Sequence, residues 1–138
     1  MPEEAATPAP PSTSARPALL PEDIEGAALS GELGCSFNEG ASGLPLLVAM
    51  ADVRDEARAE GVLRIGLSTV RLRAEETGGF NALIDGERFT SGDLTATVAV
   101  VSSEPLGEGE SPPRAATLTL ASDPLRAQRI EGRWTCGP

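Results

Sequence analysis

The sequence predicts an all-β domain, a small antiparallel β-barrel or β-sandwich of about eight short strands behind a proline-rich tail. Three observations carry this. From residue 24 onward the hydrophobic period is mostly two. Turn signals built from Gly, Pro, Asp and Ser recur roughly every 10–14 residues. The two cysteines fall at matched phase on the first and last of these segments. The 138 residues fit one domain.

Residues 1–23 read as a linker. Six of the twelve prolines lie there, at 2, 8, 10, 11, 17 and 21, among Ala, Ser, Thr and Glu. So little apolar surface does not offset the entropy of ordering, and an extended tether is expected. Residues 24–138 read as the β domain. In "LSGELGCSF", Leu29, Leu33, Cys35 and Phe37 share a face with Gly31. "PLLVAMADV" is apolar on both faces, which suits a well-covered strand. In "ARAEGVLRIG", Ala57, Ala59, Leu63 and Ile65 oppose Arg58, Glu60 and Arg64. The competing reading of "ADVRDEARAEG" is a short helix, capped by Asp52 and stopped at Gly61. In "VRLRAEE", Val70 and Leu72 point in, Arg71 and Arg73 out. The phase flips at "GLST", a turn or bulge.

Further along, Asp85-Gly86 is a hairpin signal, because both residues tolerate positive φ. "LTATVAVVSS" places Leu94, Ala96, Val98 and Val100 on one side, and "EPLGEGESPP" is a loop. "RAATLTLAS" aligns Ala116, Leu118 and Leu120. "DPLR" is a turn, and "QRIEGRWTC" aligns Ile130, Trp134 and Cys136.

Composition excludes much chemistry. There are 21 acidic and 11 basic residues, a net charge of −10, and every base is arginine. Such a balance repels nucleic acid and anionic membranes. Without histidine, a Ser-His-Asp or Cys-His arrangement and a histidine-ligated metal are excluded. Without lysine there is no Schiff base. Two cysteines alone cannot close a four-thiolate site. No activity is expected and no cofactor is called for. No run approaches the ~18 apolar residues of a membrane span.

Cys35 and Cys136 have three readings: buried free thiols, a redox pair, and a disulfide. The absence of a C-x-x-C spacing argues against the redox pair. Two cysteines at matched inward phase on the terminal strands favour the disulfide, which restricts the unfolded chain by up to ~4–5 kcal/mol for so long a loop. A disulfide places the mature protein in an oxidising compartment, periplasmic or extracellular. The linker then reads as a spacer, of the kind that follows a lipidated cysteine in bacterial lipoproteins, although these residues hold no lipobox. The outline is similar to small secreted envelope domains such as the lysozyme-inhibitor lipoproteins, but their inhibitory motif is not present and no family follows.

The densest polar cluster is "EETGGFNALIDGERFTSGD", with Glu75, Glu76, Asn81, Asp85, Glu87 and Asp93. A carboxylate cation site there lacks the EF-hand spacing, and an acid pair for hydrolysis needs a shared cleft that spacing does not specify. Asn81, Asp85, Arg88 and Phe89 form a candidate binding edge, provided that Phe89 is exposed. The function expected is a non-enzymatic exported envelope domain that binds a protein partner, inhibition of a hydrolase being one form of it. The alternative is a small-molecule or lipid carrier with a hollow barrel.

Overall fold

The computed structural model describes residues 18–39, 44–65, 68–106, 112–123 and 126–137. The elements are α1 (Pro21–Ala27), β1 (Leu33–Asn38), β2 (Leu47–Ala51), β3 (Glu60–Ile65), β4 (Ser68–Ala74), α2 (Gly79–Leu83), β5 (Gly86–Ser91), β6 (Leu94–Pro105), β7 (Arg114–Asp123) and β8 (Arg126–Gly137). The eight strands form a closed barrel in sequence order, with every pair antiparallel. β8 returns to β1 in the register Cys35↔Cys136, Phe37↔Trp134. The expectation of an all-β antiparallel domain holds, and of the two architectures it is the barrel. Closure leaves no sheet edge.

The period-two pattern sets the inside. Phe37, Leu47, Ala49, Leu63, Leu72, Ala74, Phe89, Ala96, Val98, Leu118, Ile130 and Trp134 form one buried cluster. Phe37, Leu47, Ala49, Phe89 and Ala96 have 0% exposure. A water-sized hollow would leave its lining side chains with accessible surface, so the middle of the barrel is filled. A glycine lets the Phe37 ring fit. A Cβ at Gly132 would lie 2.8 Å from the Phe37 ring and collide with the Asn38 carbonyl oxygen. A Cβ at Gly61 would touch the Phe89 ring at ordinary contact distance and lie close, at 3.3 Å, to the Val48 carbonyl oxygen.

Several expectations change. The domain starts earlier than residue 24, since Leu19 is fully buried and α1 begins at Pro21. Residues 1–17, the bulk of the expected linker, lie outside the described residues. Pro21 occupies the first helical position, where a missing N–H costs nothing. Asp23 accepts the Leu20 N–H at 2.9 Å, and Arg64 on β3 pairs with it at 3.6 Å. Leu19, Ala27 and Val62 form a second cluster outside the barrel, joined by Leu29 and Val48. Leu29 therefore packs under α1 rather than on the inner face of β1. This cluster explains why β2 is apolar on both faces.

Residues 52–59 form neither helix nor strand but turns and bends, with β3 starting at Glu60. Ala57 and Ala59 are buried as expected, whereas Ile65 is 45% exposed at the barrel rim, beyond the last core layer. Asp85-Gly86 does not join two strands: α2 precedes it, and β5 starts at Gly86. The true two-residue hairpin is Gly92-Asp93, flanked by the pair Ser91↔Leu94, with Gly92 at φ 58. The turns expected at "GLST" and "DPLR" fall partly on 66–67 and 124–125, outside the described residues, as does half of the 104–113 loop. β6 itself runs on to Pro105.

α2 closes one end of the barrel. Gly79 adopts φ 64, and a Cβ there would strike the Arg54 carbonyl oxygen. The Phe80 N–H donates to the Asp52 carbonyl at 2.8 Å. Trp134 Nε1 donates to the Leu83 carbonyl oxygen at 3.0 Å, fully buried.

Candidate functional site

The barrel is sealed at the β1–β8 seam. Cys35 and Cys136 face each other in register, with Cα atoms 4.0 Å apart, and form a disulfide across 101 residues of chain. The inward phase of both, set by Phe37 on one strand and Trp134 on the other, brings their Sγ atoms together. Cys35 is buried at 3% exposure.

Over the outside of this seam lies an open groove of about 430 Å³. Gly34, Ser36, Val48, Met50, Thr135 and Gly137 line it. Gly34 and Gly137 are opposite each other, so backbone forms the floor where side chains would otherwise stand. Met50 and Val48 of β2 make the apolar wall. Sequence reading does not find this groove, because it depends on which outward residue of β1 meets which of β8. The two glycines beside the cysteines, in "GELGCSF" and "TCGP", are the only sequence trace of it.

The expected binding edge comes apart. Asn81 on α2 and Asp85 after it are exposed. Arg88 is exposed on the outer face of β5 and pairs with Glu75 at 3.3 Å. Phe89 has no exposed surface and points into the barrel. The alternation that puts Arg88 outside puts its neighbour inside, so the aromatic ring is unavailable to a partner.

The acidic residues of the same stretch do not all converge: Glu76 lies near Glu87, but Asp93 is far from both. Glu75, Glu76, Asp85 and Asp93 are exposed. Asp93 sits in the hairpin beyond the far end of β5, roughly 20 Å along the strand from Glu87. Glu87 is half-buried in the inward phase at the α2 end. Burial raises its carboxyl above the usual range, the Arg88 backbone N–H opposes this, and the nearby Glu76 charge adds to the rise. No group of three or more metal-ligating side chains converges among the described residues. Among them, no helix is long and apolar enough to cross a membrane.

Together the fold and seam define a disulfide-closed, eight-stranded antiparallel barrel with a filled core. No family model, no curated protein and no solved structure matches the chain.

Proposed function

We propose that this protein is a non-enzymatic, exported domain of the cell envelope that binds a protein partner through the outer surface of its barrel. The observation that carries this reading is the Cys35–Cys136 disulfide joining the first and last strands. Structural disulfides persist in oxidising compartments and are rare where glutathione keeps thiols reduced. The filled mid-barrel supports binding on the outside over carriage of a small molecule within. The seam groove offers a concave contact with an apolar wall. The lack of histidine and lysine supports binding rather than catalysis. Inhibition of an envelope hydrolase is a finer form of the same reading, and a lipid tether on the N-terminal segment is a finer form of its location.

Two measurements test it. The protein isolated from its native cells under thiol-trapping conditions should show no alkylated cysteine before reduction and two after it. A pull-down from envelope extract should retain a specific protein. Two freely alkylated cysteines in the native material would overturn the exported location, and a pull-down with no retained protein would overturn partner binding.

A further inference from the structure

The chain carries a net charge of −10, but its charges are not evenly spread. The outward positions of β4, β5 and β8 hold Arg71, Arg73, Arg88, Arg129 and Arg133, against Glu131. Many acids lie elsewhere, although Glu60 pairs with Arg71, Glu75 pairs with Arg88, and Glu131 lies between Arg129 and Arg133. Glu22, Asp23 and Glu25 lie on α1, and Asp52, Asp55 and Glu56 lie in the 52–59 segment. Strand pairing arranges part of this basic face into one transverse row. Arg88 on β5 pairs with Thr97 on β6, Thr97 with Thr119 on β7, and Thr119 with Arg129 on β8. Arg88 and Arg129 are exposed, and the two threonines between them are half-buried. The neighbouring row on one side holds Thr90, Thr95 and Ala121, and that on the other Ala99 and Thr117 and ends at Glu131 on β8. Short side chains therefore floor a shallow strip with an arginine at each side. Among the described residues, Arg129 and Arg73 have no carboxylate partner, and the Arg88–Glu75 pair is largely exposed. Such an exposed pair is worth little and exchanges readily.

We propose that the row Arg88–Thr97–Thr119–Arg129 is the contact surface for an extended acidic polypeptide segment of the partner. This rests on the reading of the outer barrel as a binding surface and names the partner's chemistry. Three strand spacings separate the arginines by about 14 Å. An extended chain rises about 3.4 Å per residue, so acids at i and i+4 on one face are separated by the same distance. The arginine stems diverge on the convex barrel wall, so each must fold back along the wall for its guanidinium to meet a carboxylate in bidentate geometry. The threonine hydroxyls lie beneath the intervening residue and its backbone. Polypeptide is favoured over an anionic polysaccharide by the side chains present. Phe37, Phe89 and Trp134 are buried and Phe80 is half-buried on α2, so no aromatic ring stands in the row for sugar to stack on.

The test uses a labelled synthetic peptide alternating glutamate with serine, titrated by fluorescence anisotropy at low and physiological ionic strength. The full-length protein should bind it, more weakly as salt rises. A matched lysine–serine peptide should not bind. The double variant Arg88→Glu, Arg129→Glu should lose at least about tenfold in affinity. The control double variant Arg54→Glu, Arg58→Glu changes net charge equally, away from the row, and should lose less than about threefold. Unchanged thermal unfolding in both doubles confirms that the fold is intact. Equal losses in the two doubles, no binding at low salt, or binding of an anionic polysaccharide in place of the peptide would each overturn the proposal. The envelope pull-down separates its failure from that of the parent reading. A partner retained equally by wild type and the Arg88/Arg129 double would refute the row and leave partner binding standing.

Discussion

The Trp134 indole N–H donates to the Leu83 carbonyl oxygen at 3.0 Å, inside the barrel and across 51 residues of sequence. This bond fixes α2 as the floor of one barrel end, since Leu83 is its last residue. Trp134 also packs beside Phe37 through the β1–β8 register, so the same side chain ties the floor to the seam. Trp134→Phe keeps most of the apolar surface but strands a buried carbonyl. The expected loss is about 1–3 kcal/mol for the unsatisfied acceptor, plus a packing term for the smaller ring. Chemical denaturation followed by far-ultraviolet circular dichroism checks it. Because Trp134 is the only tryptophan, its emission in the wild type should be that of an apolar site and shift to longer wavelength in the same transition.

The disulfide joins strands whose pairing is already set by alternating side chains. Replacing both cysteines with alanine should therefore leave the barrel topology in place while lowering its stability. Removing a constraint that spans 101 residues is expected to cost about 2–5 kcal/mol. The expected outcome is a lower unfolding midpoint with an unchanged β-sheet spectrum below it. A double variant as stable as the wild type would mean that the β1–β8 ladder alone carries closure.

Much of the barrel was legible because its signal is local. Val70 and Leu72 inside with Arg71 and Arg73 outside follow from alternation alone, as do Leu94, Ala96 and Val98. The seam was legible for a different reason: only two cysteines exist, and both fall inward. What escaped depends on distant contacts. α2 is five residues long, too short to show a helical period, and its last carbonyl is held by Trp134 from the far end of the chain. α1 was hidden by the prolines around it, although Pro21 in fact opens the helix. The candidate edge fails at Phe89 because alternation along β5 turns that ring inward beside the outward Arg88. The seam groove and the Arg88–Arg129 row are products of cross-strand register, which no single segment encodes.

Gly132 and Phe37 form a complementary pair, the missing Cβ of one making room for the ring of the other. Gly132→Ala places a methyl group against the ring and the Asn38 carbonyl. Overpacking of this kind costs about 1–3 kcal/mol. Phe37→Leu alone should also destabilise, by leaving part of the ring's volume empty. Combined, the two should cost less than their sum, since the shorter side chain vacates the space the methyl enters. A double-mutant cycle in denaturant reads the coupling, expected at about 0.5–3 kcal/mol for residues in contact. Additivity within experimental error would show that the Asn38 carbonyl, not the ring, bears the clash.

Glu87 gives the fold a pH dependence of defined sign. Burial at the α2 end raises its carboxyl, opposed by the Arg88 backbone N–H and reinforced by Glu76. With the folded value above the unfolded one, the native state binds more protons between the two, so stability falls as pH rises through that interval. Below the unfolded value the side chain is neutral in both states and no penalty applies. Above the folded value the penalty is complete. Glu87→Gln removes the charge at every pH while keeping the shape. Its melting temperature relative to the wild type should therefore climb between acid and neutral pH and level off above the folded value. A relative melting temperature that stays flat across this range, or declines, would mean that the Arg88 N–H outweighs burial at this site.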